Sequence, residues 1–177
     1  MFKKYLSVYN KIILSSEISD IEKLVTKLQT IKKNNKNTLW IFGNGGSQAI
    51  SSHISTDFSK NTNIRSMTVS DADLITCFSN DYGYENYLYL YLKKFAKKND
   101  FVILISSSGK SKNILKAANF CKKNNLYLCT FSGFDKKNPL KNYGNLNIWV
   151  NSKKYNFVEV YHLQLLTYIV DKLSKIF

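Results

Sequence analysis

Arginine occurs once in this chain, as Arg65, and proline once, as Pro139; there are two histidines and three cysteines. No run approaches the roughly 18 consecutive apolar residues that a membrane-spanning helix needs. Each shortage excludes something. With no such run, a membrane span is not expected. The amino-terminal stretch MFKKYLSVYNKIILSSE has a charged start but neither a long apolar core nor a small-residue cleavage site, so it does not read as a secretory leader. A cytoplasmic location is the expectation. Cys77, Cys121 and Cys129 lie in or beside apolar runs and share no metal-type spacing, which predicts reduced, buried thiols. The scarcity of arginine also tempers the net charge of +14. The lysines are spread along the chain, many in pairs such as Lys32-Lys33, Lys97-Lys98 and Lys122-Lys123, expected at helix ends where cations suit the helix dipole. Arginine is the better reader of phosphates and base edges, so nucleic acid is not an expected partner. Attraction of a small anionic substrate is an adequate use of the charge.

What is present points to an α/β fold. At 177 residues and 44% hydrophobic composition, the chain has the size of one domain with a real core, residues 1–177. Residues 1–37 predict two leading helices. The first carries Tyr5, Val8, Tyr9, Ile12 and Ile13 on one face, and the second carries Ile21, Leu24, Val25, Leu28 and Ile31. A capping box at Ser19-Asp20-Ile21-Glu22 is expected to start the second, and the polar run from residue 32 to residue 37 to end it. Residues 38–177 form the α/β core. Its short apolar runs read as buried parallel strands: Leu39–Phe42, Ser66–Val69, Phe101–Ile105, Leu126–Phe131 and Leu146–Val150. Helix-like stretches near Gln48–Ser59, Tyr84–Lys98, Ser111–Asn124 and Phe157–Ile176 alternate with them. This pattern predicts a doubly wound, five-stranded parallel sheet of flavodoxin-like order 2-1-3-4-5. Pro139 falls in a turn after the fourth strand, and no repeat or low-complexity linker interrupts the pattern.

Two loops stand out. Gly43-Asn44-Gly45-Gly46-Ser47 follows the first strand, and Ser106-Ser107-Ser108-Gly109-Lys110-Ser111 follows the third; each leads into a helix. Small residues admit a ligand to the backbone, free amides at a helix start favour an anion, and four serine hydroxyls can serve several phosphate oxygens. In the 2-1-3-4-5 order, strands 1 and 3 are neighbours at the switch point, so both loops should face one crevice. A single Gly/Ser turn would carry no such meaning; two at paired positions do. Neither loop is GxGxxG or GxxxxGK[ST], so no nucleotide cofactor is expected.

These residues carry a family resemblance. GNGGSQAISSHISTD, SNDYGYE, ISSSGKSKNILKA, FSGFD and the final VEVYH segment resemble the SIS (sugar isomerase) proteins, and within them the sedoheptulose-7-phosphate isomerase, or phosphoheptose isomerase, group. The resemblance spans essentially the whole chain. It implies an aldose–ketose isomerase that converts sedoheptulose 7-phosphate to an aldoheptose 7-phosphate on the way to the heptose of bacterial surface lipopolysaccharide. It also implies a homotetramer whose sites draw residues from neighbouring subunits. Ser106, Ser107, Ser108 and Ser111 match the phosphate-binding serines. Asn44, Gly45 and Gly46, with Ser47 closing their loop, match the sugar-binding loop, as do Asn80 and Asp81. His53 and Asp57 match a histidine and an acid that help hold zinc in some members, the acid also acting in proton transfer. Glu159 stands at a position that contacts metal and substrate.

Three positions depart from the group's pattern: Asp57 where the isomerases have glutamate, Glu159 where they have glutamine, and Thr167 where they have a histidine. SIS relatives that only bind, including one that associates with a replication initiator, share the framework. A binding module for a sugar phosphate or a protein partner is therefore the alternative reading.

Isomerisation through an enediol needs a base near the sugar carbon and an acid for the oxygen. His53 and Asp57, four apart, share one helix face; Glu159 and His162, three apart, share another. The expectation is Asp57 and Glu159 as proton-transfer groups, with His53, Asp57 and Glu159 as zinc ligands if the helices converge. His162 is expected to pack rather than to ligate. Tyr82, Tyr84, Tyr87, Tyr89 and Tyr91 are expected to lie against other subunits rather than to hold a cofactor.

Overall fold

The computed structural model describes residues 1–15, 17–34 and 36–176. Asn35, in the polar run expected to end the second helix, lies outside them with Ser16 and Phe177.

The five apolar runs become β1 (Thr38–Phe42), β2 (Arg65–Met67), β3 (Phe101–Ile105), β4 (Tyr127–Ser132) and β5 (Leu146–Trp149). They pair in parallel in the order β2-β1-β3-β4-β5. Side chains alternate across a strand, so β1, β3 and β4 each feed two cores. Leu39, Ile41, Phe101, Ile103, Ile105, Cys129 and Phe131 enter one core with α2 (Ile18–Asn34), α3 (Gly46–Asn61) and α7 (Tyr155–Ser174). Trp40, Phe42, Val102, Leu104 and Leu128 enter the other with α5 (Tyr87–Phe95) and α6 (Lys112–Lys123). The buried carboxylate of Asp100 ties the sheet's amino edge together. It accepts from the Thr38 amide at 2.8 Å, the Trp40 indole at 2.8 Å and the Lys97 amide at 2.9 Å.

α1 (Phe2–Leu14) has no buried residue; only Tyr9, Ile12 and Ile13 of its expected face pack partly on the core. The stripe of α2 is buried as expected at Leu24, Val25, Leu28 and Ile31. The capping box is not where the sequence places it. α2 begins at Ile18, so Ser19 lies inside the first turn, and Glu22 reaches Lys172 of α7 at 2.7 Å instead.

The helix expected over Tyr84–Lys98 is shorter, and another precedes it, α4 (Ala72–Tyr82). Gly83, at φ 83°, separates the two, and extended Ala96 stops α5 at Phe95. Lys97-Lys98 therefore lies beyond a helix end, whereas Lys32-Lys33 and Lys122-Lys123 occupy last turns. Tyr87 and Tyr91 are buried within this chain's own second core, not held for a neighbour; Tyr82 and Tyr84 remain exposed. Cys77 is exposed, contrary to expectation, because no residue of α4 is buried. Cys121 and Cys129 are buried, and burial pushes the Cys121 thiol up to about 12 and Cys129 upward as well. Pro139 opens a 3-10 turn, Pro139–Asn142, after β4. Among the described residues no helix is long and apolar enough to cross a membrane.

Candidate functional site

β1 and β3 are adjacent and buried along their length, so the loops leaving their carboxyl ends emerge side by side. The first loop is shaped by glycine. A Cβ at Gly43 would strike the Ser47 backbone, and Gly45, at φ 53°, caps α3. Gln48 pins the loop: its Oε1 accepts from the Gly43 amide at 3.2 Å. Its Nε2 donates to Thr68 Oγ1 at 3.0 Å and to the Val69 carbonyl at 2.7 Å.

The two loops are joined by an amide pair. Asn44 Nδ2 donates to Asn113 Oδ1 at 2.9 Å, and Asn113 Nδ2 donates to Asn44 Oδ1 at 2.8 Å. The Tyr84 hydroxyl adds a third bond, to Asn44 Oδ1 at 3.0 Å. Tyr87 stands next to Tyr84 and Asn113, and burial pushes its phenol up to about 12, so it stays protonated near neutrality. Sequence reading missed Asn113 altogether. Its signal was position: it lies in the first turn of α6, directly behind the serine loop.

The serine loop is held from behind by β4 and its successor. The Ser106 amide donates to the Phe131 carbonyl at 2.9 Å, and the Gly133 amide donates to the Ser107 carbonyl at 2.8 Å. Gly109, at φ 65°, makes the turn where a Cβ would overlap Asn138. Ser106 and Ser111 share a hydroxyl–hydroxyl bond of 3.2 Å. Ser111 is the N-cap of α6, yet its hydroxyl caps no amide, and α6 has no acid in its first turn. The α6 amino end is thus open to an anion. Ser107 is 4% exposed and its hydroxyl has no hydrogen-bond partner among the described residues. A buried hydroxyl left unpaired costs about 1–3 kcal/mol, which a ligand oxygen would relieve.

Glu159 joins this crevice. A Cβ on Gly46 would overlap its carboxylate, so the acid lies over the positive end of α3. The preceding residue, Val158, packs against Gly133, the residue whose amide holds Ser107. The first turn of α7 therefore closes over both loops.

The remaining expected residues are not gathered here. His53 Nε2 and Asp57 Oδ2 are 3.1 Å apart, with side chains 57% and 26% exposed. They lie seven and eleven residues past Gly46 on α3, about 10 and 16 Å along the helix. Among the described residues no three His, Cys, Asp or Glu side chains converge as a metal cluster. Within one chain, then, Glu159 does not join His53 and Asp57, and the donors present fall short of a zinc site.

Asn80 and Asp81, in the last turn of α4, are exposed and bond to each other at 3.1 Å; it is Tyr84 that reaches the loop. Thr167 Oγ1 donates back to the Leu163 carbonyl at 2.9 Å. His162 is fully buried edge-on to Phe131, with Nε2 3.4 Å from the Ser132 carbonyl. Burial lowers its pKa to about 4, so it is neutral and does not stand in for the base missing at Thr167.

Comparison with known proteins matches this arrangement. The SIS domain family model covers residues 2–133. The chain is 37% identical to phosphoheptose isomerase 2 of Campylobacter jejuni over 137 residues, 70% of this chain and 68% of that one. It is 29% identical to a phosphoheptose isomerase of Fusobacterium nucleatum over 165 residues, 90% and 84% of the two chains. A solved phosphoheptose isomerase structure from Francisella tularensis superposes with a TM-score of 0.87 over 98% of this chain and 96% of that one, at 17% identity, so it speaks for the fold. Paired loops at the switch point, a serine cradle at an open helix start and these matches lead to one conclusion: the chain belongs to the SIS domain family, among the phosphoheptose isomerases.

Proposed function

We propose that the protein is a sugar-phosphate isomerase of the phosphoheptose isomerase kind, interconverting a ketose and an aldose heptose 7-phosphate by proton transfer through an enediol. The observation that carries this reading is the Ser107 hydroxyl, buried and unpartnered in a loop with three more serines beside the open start of α6. A phosphate seated there leaves the sugar chain running toward Asn44, Gly45, Gly46, Ser47 and Glu159. Asn80 and Asp81 take part in sugar binding on the reach of the α4 carboxyl end. Glu159 serves the oxygen-bound proton from above Gly46.

Asp57 is the carbon base, with His53 at 3.1 Å orienting its carboxylate. Because the pair lies two to three turns down α3 from this chain's crevice, it acts on the crevice of a second copy. That requires a homo-oligomer, read as a tetramer working in the cytoplasm. Exposed apolar side chains on α1 and α7 support it: Tyr5, Val8, Val160 and Tyr168. A zinc ion would take His53 and Asp57 with donors from beyond this chain.

The test is solvent-deuterium incorporation at the second carbon of sedoheptulose 7-phosphate, followed by NMR. The unmodified protein exchanges that proton. Asp57→Asn binds the sugar phosphate but does not exchange, and Thr167→His exchanges at least as fast as the parent. Exchange by Asp57→Asn at the parental rate would remove Asp57 as base. No exchange by the parent with any heptose, hexose or pentose phosphate would leave the binding-module reading, which the back-bonded Thr167 hydroxyl favours.

A further inference from the structure

A cavity of about 730 Å³ opens at the other end of the sheet, beneath Phe101 and Tyr127, the first residues of β3 and β4. The five residues of β3 span about 16 Å, so the cavity is separated from the serine loop by the length of a strand. Two lysines line it, one from each side of the sheet. Lys27 of α2 lies 4.4 Å over the Tyr127 ring; Lys122 of α6 lies 5.8 Å over the Tyr143 ring and donates to the Asn142 carbonyl at 3.1 Å. Among the described residues no carboxylate lines this space and neither lysine has an ion-pair partner. Two uncompensated ammonium groups on a concave surface favour an anion. The rest of the wall is rich in side-chain amides, Asn99 and Asn125 among them. Both asparagines hold turns at positive φ, 72° and 55°. Amides offer donor and acceptor together, as hydroxylated rings require.

We infer that this cavity is a second ligand site, for a nucleoside diphosphate sugar. Lys27 and Lys122 take the diphosphate, and in leaving the tyrosine faces they free Tyr127 and Tyr143 to carry the two ring systems. The volume is in keeping: small-molecule cavities run from about 300 to 1,000 Å³, and this one is larger than a single sugar phosphate needs. The proposal does not depend on the isomerase reading, because the serine crevice takes no part in it.

Calorimetry with ADP-glucose, GDP-mannose and UDP-glucose tests it on the full chain. At least one probe should bind once per chain, retain its affinity in Ser107→Ala, and bind about tenfold or more weakly in the Lys27→Glu/Lys122→Glu double variant. Lys122 is exposed and Lys27 half-buried, and an unchanged circular dichroism spectrum and unfolding midpoint establish that the double variant is folded. Failure of all three probes to bind overturns the proposal. So does weakening by Ser107→Ala, which would put the probe in the serine crevice, or a loss smaller than about threefold in the lysine variant.

Discussion

At the scale of single residues, two buried polar side chains mark function and packing respectively. Ser107 has a hydroxyl with no partner among the described residues, and the proposed phosphate would supply one. A hydrogen bond to a charged group contributes about 1.5–3 kcal/mol, so Ser107→Ala should weaken sugar-phosphate binding by about tenfold or more while leaving the unphosphorylated sugar unaffected. Calorimetry with both sugars measures this; an equal loss for both would detach Ser107 from the phosphate. His162 is the packing case. An unfolded histidine gains its proton near 6.5, the folded one only near 4. Between those values the unfolded chain holds more protons. This contribution is therefore complete above about pH 6.5, shrinks as pH falls through the window, and stops changing below about 4. The loss from pH 7 to pH 5 is about 2 kcal/mol. Urea unfolding at the two pH values should show a smaller drop for His162→Gln than for the parent. Equal drops would contradict it.

At the scale of elements, the sheet is fixed at both ends by polar groups rather than by apolar packing alone. Asp100 satisfies two amides and an indole at the amino edge, joining β1 to the start of β3. Asp100→Ala leaves these donors buried and unpaired, and should cost about 3 kcal/mol or more in urea unfolding. A loss under about 1 kcal/mol would show that water reaches them. At the carboxyl edge the Asn44–Asn113 amide pair holds the two loops in register. The strands and the α2 stripe were legible because a buried parallel sheet needs apolar runs and an amphipathic helix needs a periodic face. α4 was harder to see, though Leu74, Ile75 and Phe78 repeat at helical spacing and Gly83 ends it. Its apolar positions are only partly covered, so its pattern is diluted.

At the scale of the molecule, one chain does not bring the proposed site residues together. The serine loop and Glu159 share one crevice, while an exposed His53 and a half-buried Asp57 lie further along α3. α1 has no buried residue, and neither does α4. The proposed homo-oligomer would account for both observations, and it can be tested by complementation. Ser111→Glu places a carboxylate where phosphate should sit, and Asp57→Asn removes the proposed base; each variant alone should be inactive. Co-expressed, they should recover turnover, because mixed oligomers contain crevices with a native serine loop and a native Asp57 from different copies. Absence of recovery, or light scattering at the 20.4 kDa of one chain, would refute shared sites.

The sequence by itself determined the sheet order, the placement of the two polar loops and the family. These follow from local pattern: apolar runs separated by crossover helices allow few windings, and small hydroxyl residues after a strand have few uses. Tertiary structure alone decided which residues meet. His53, Asp57 and Glu159 look like one site on helical spacing, yet Glu159 lies over the start of α3 and the other two lie turns beyond it. Asn113 carried no motif of its own but proves to be the partner of Asn44. Spacing along a helix fixes the face a side chain shares; only the packing of α7 against α3, and of α6 against the first loop, fixes how far along that face its partner stands.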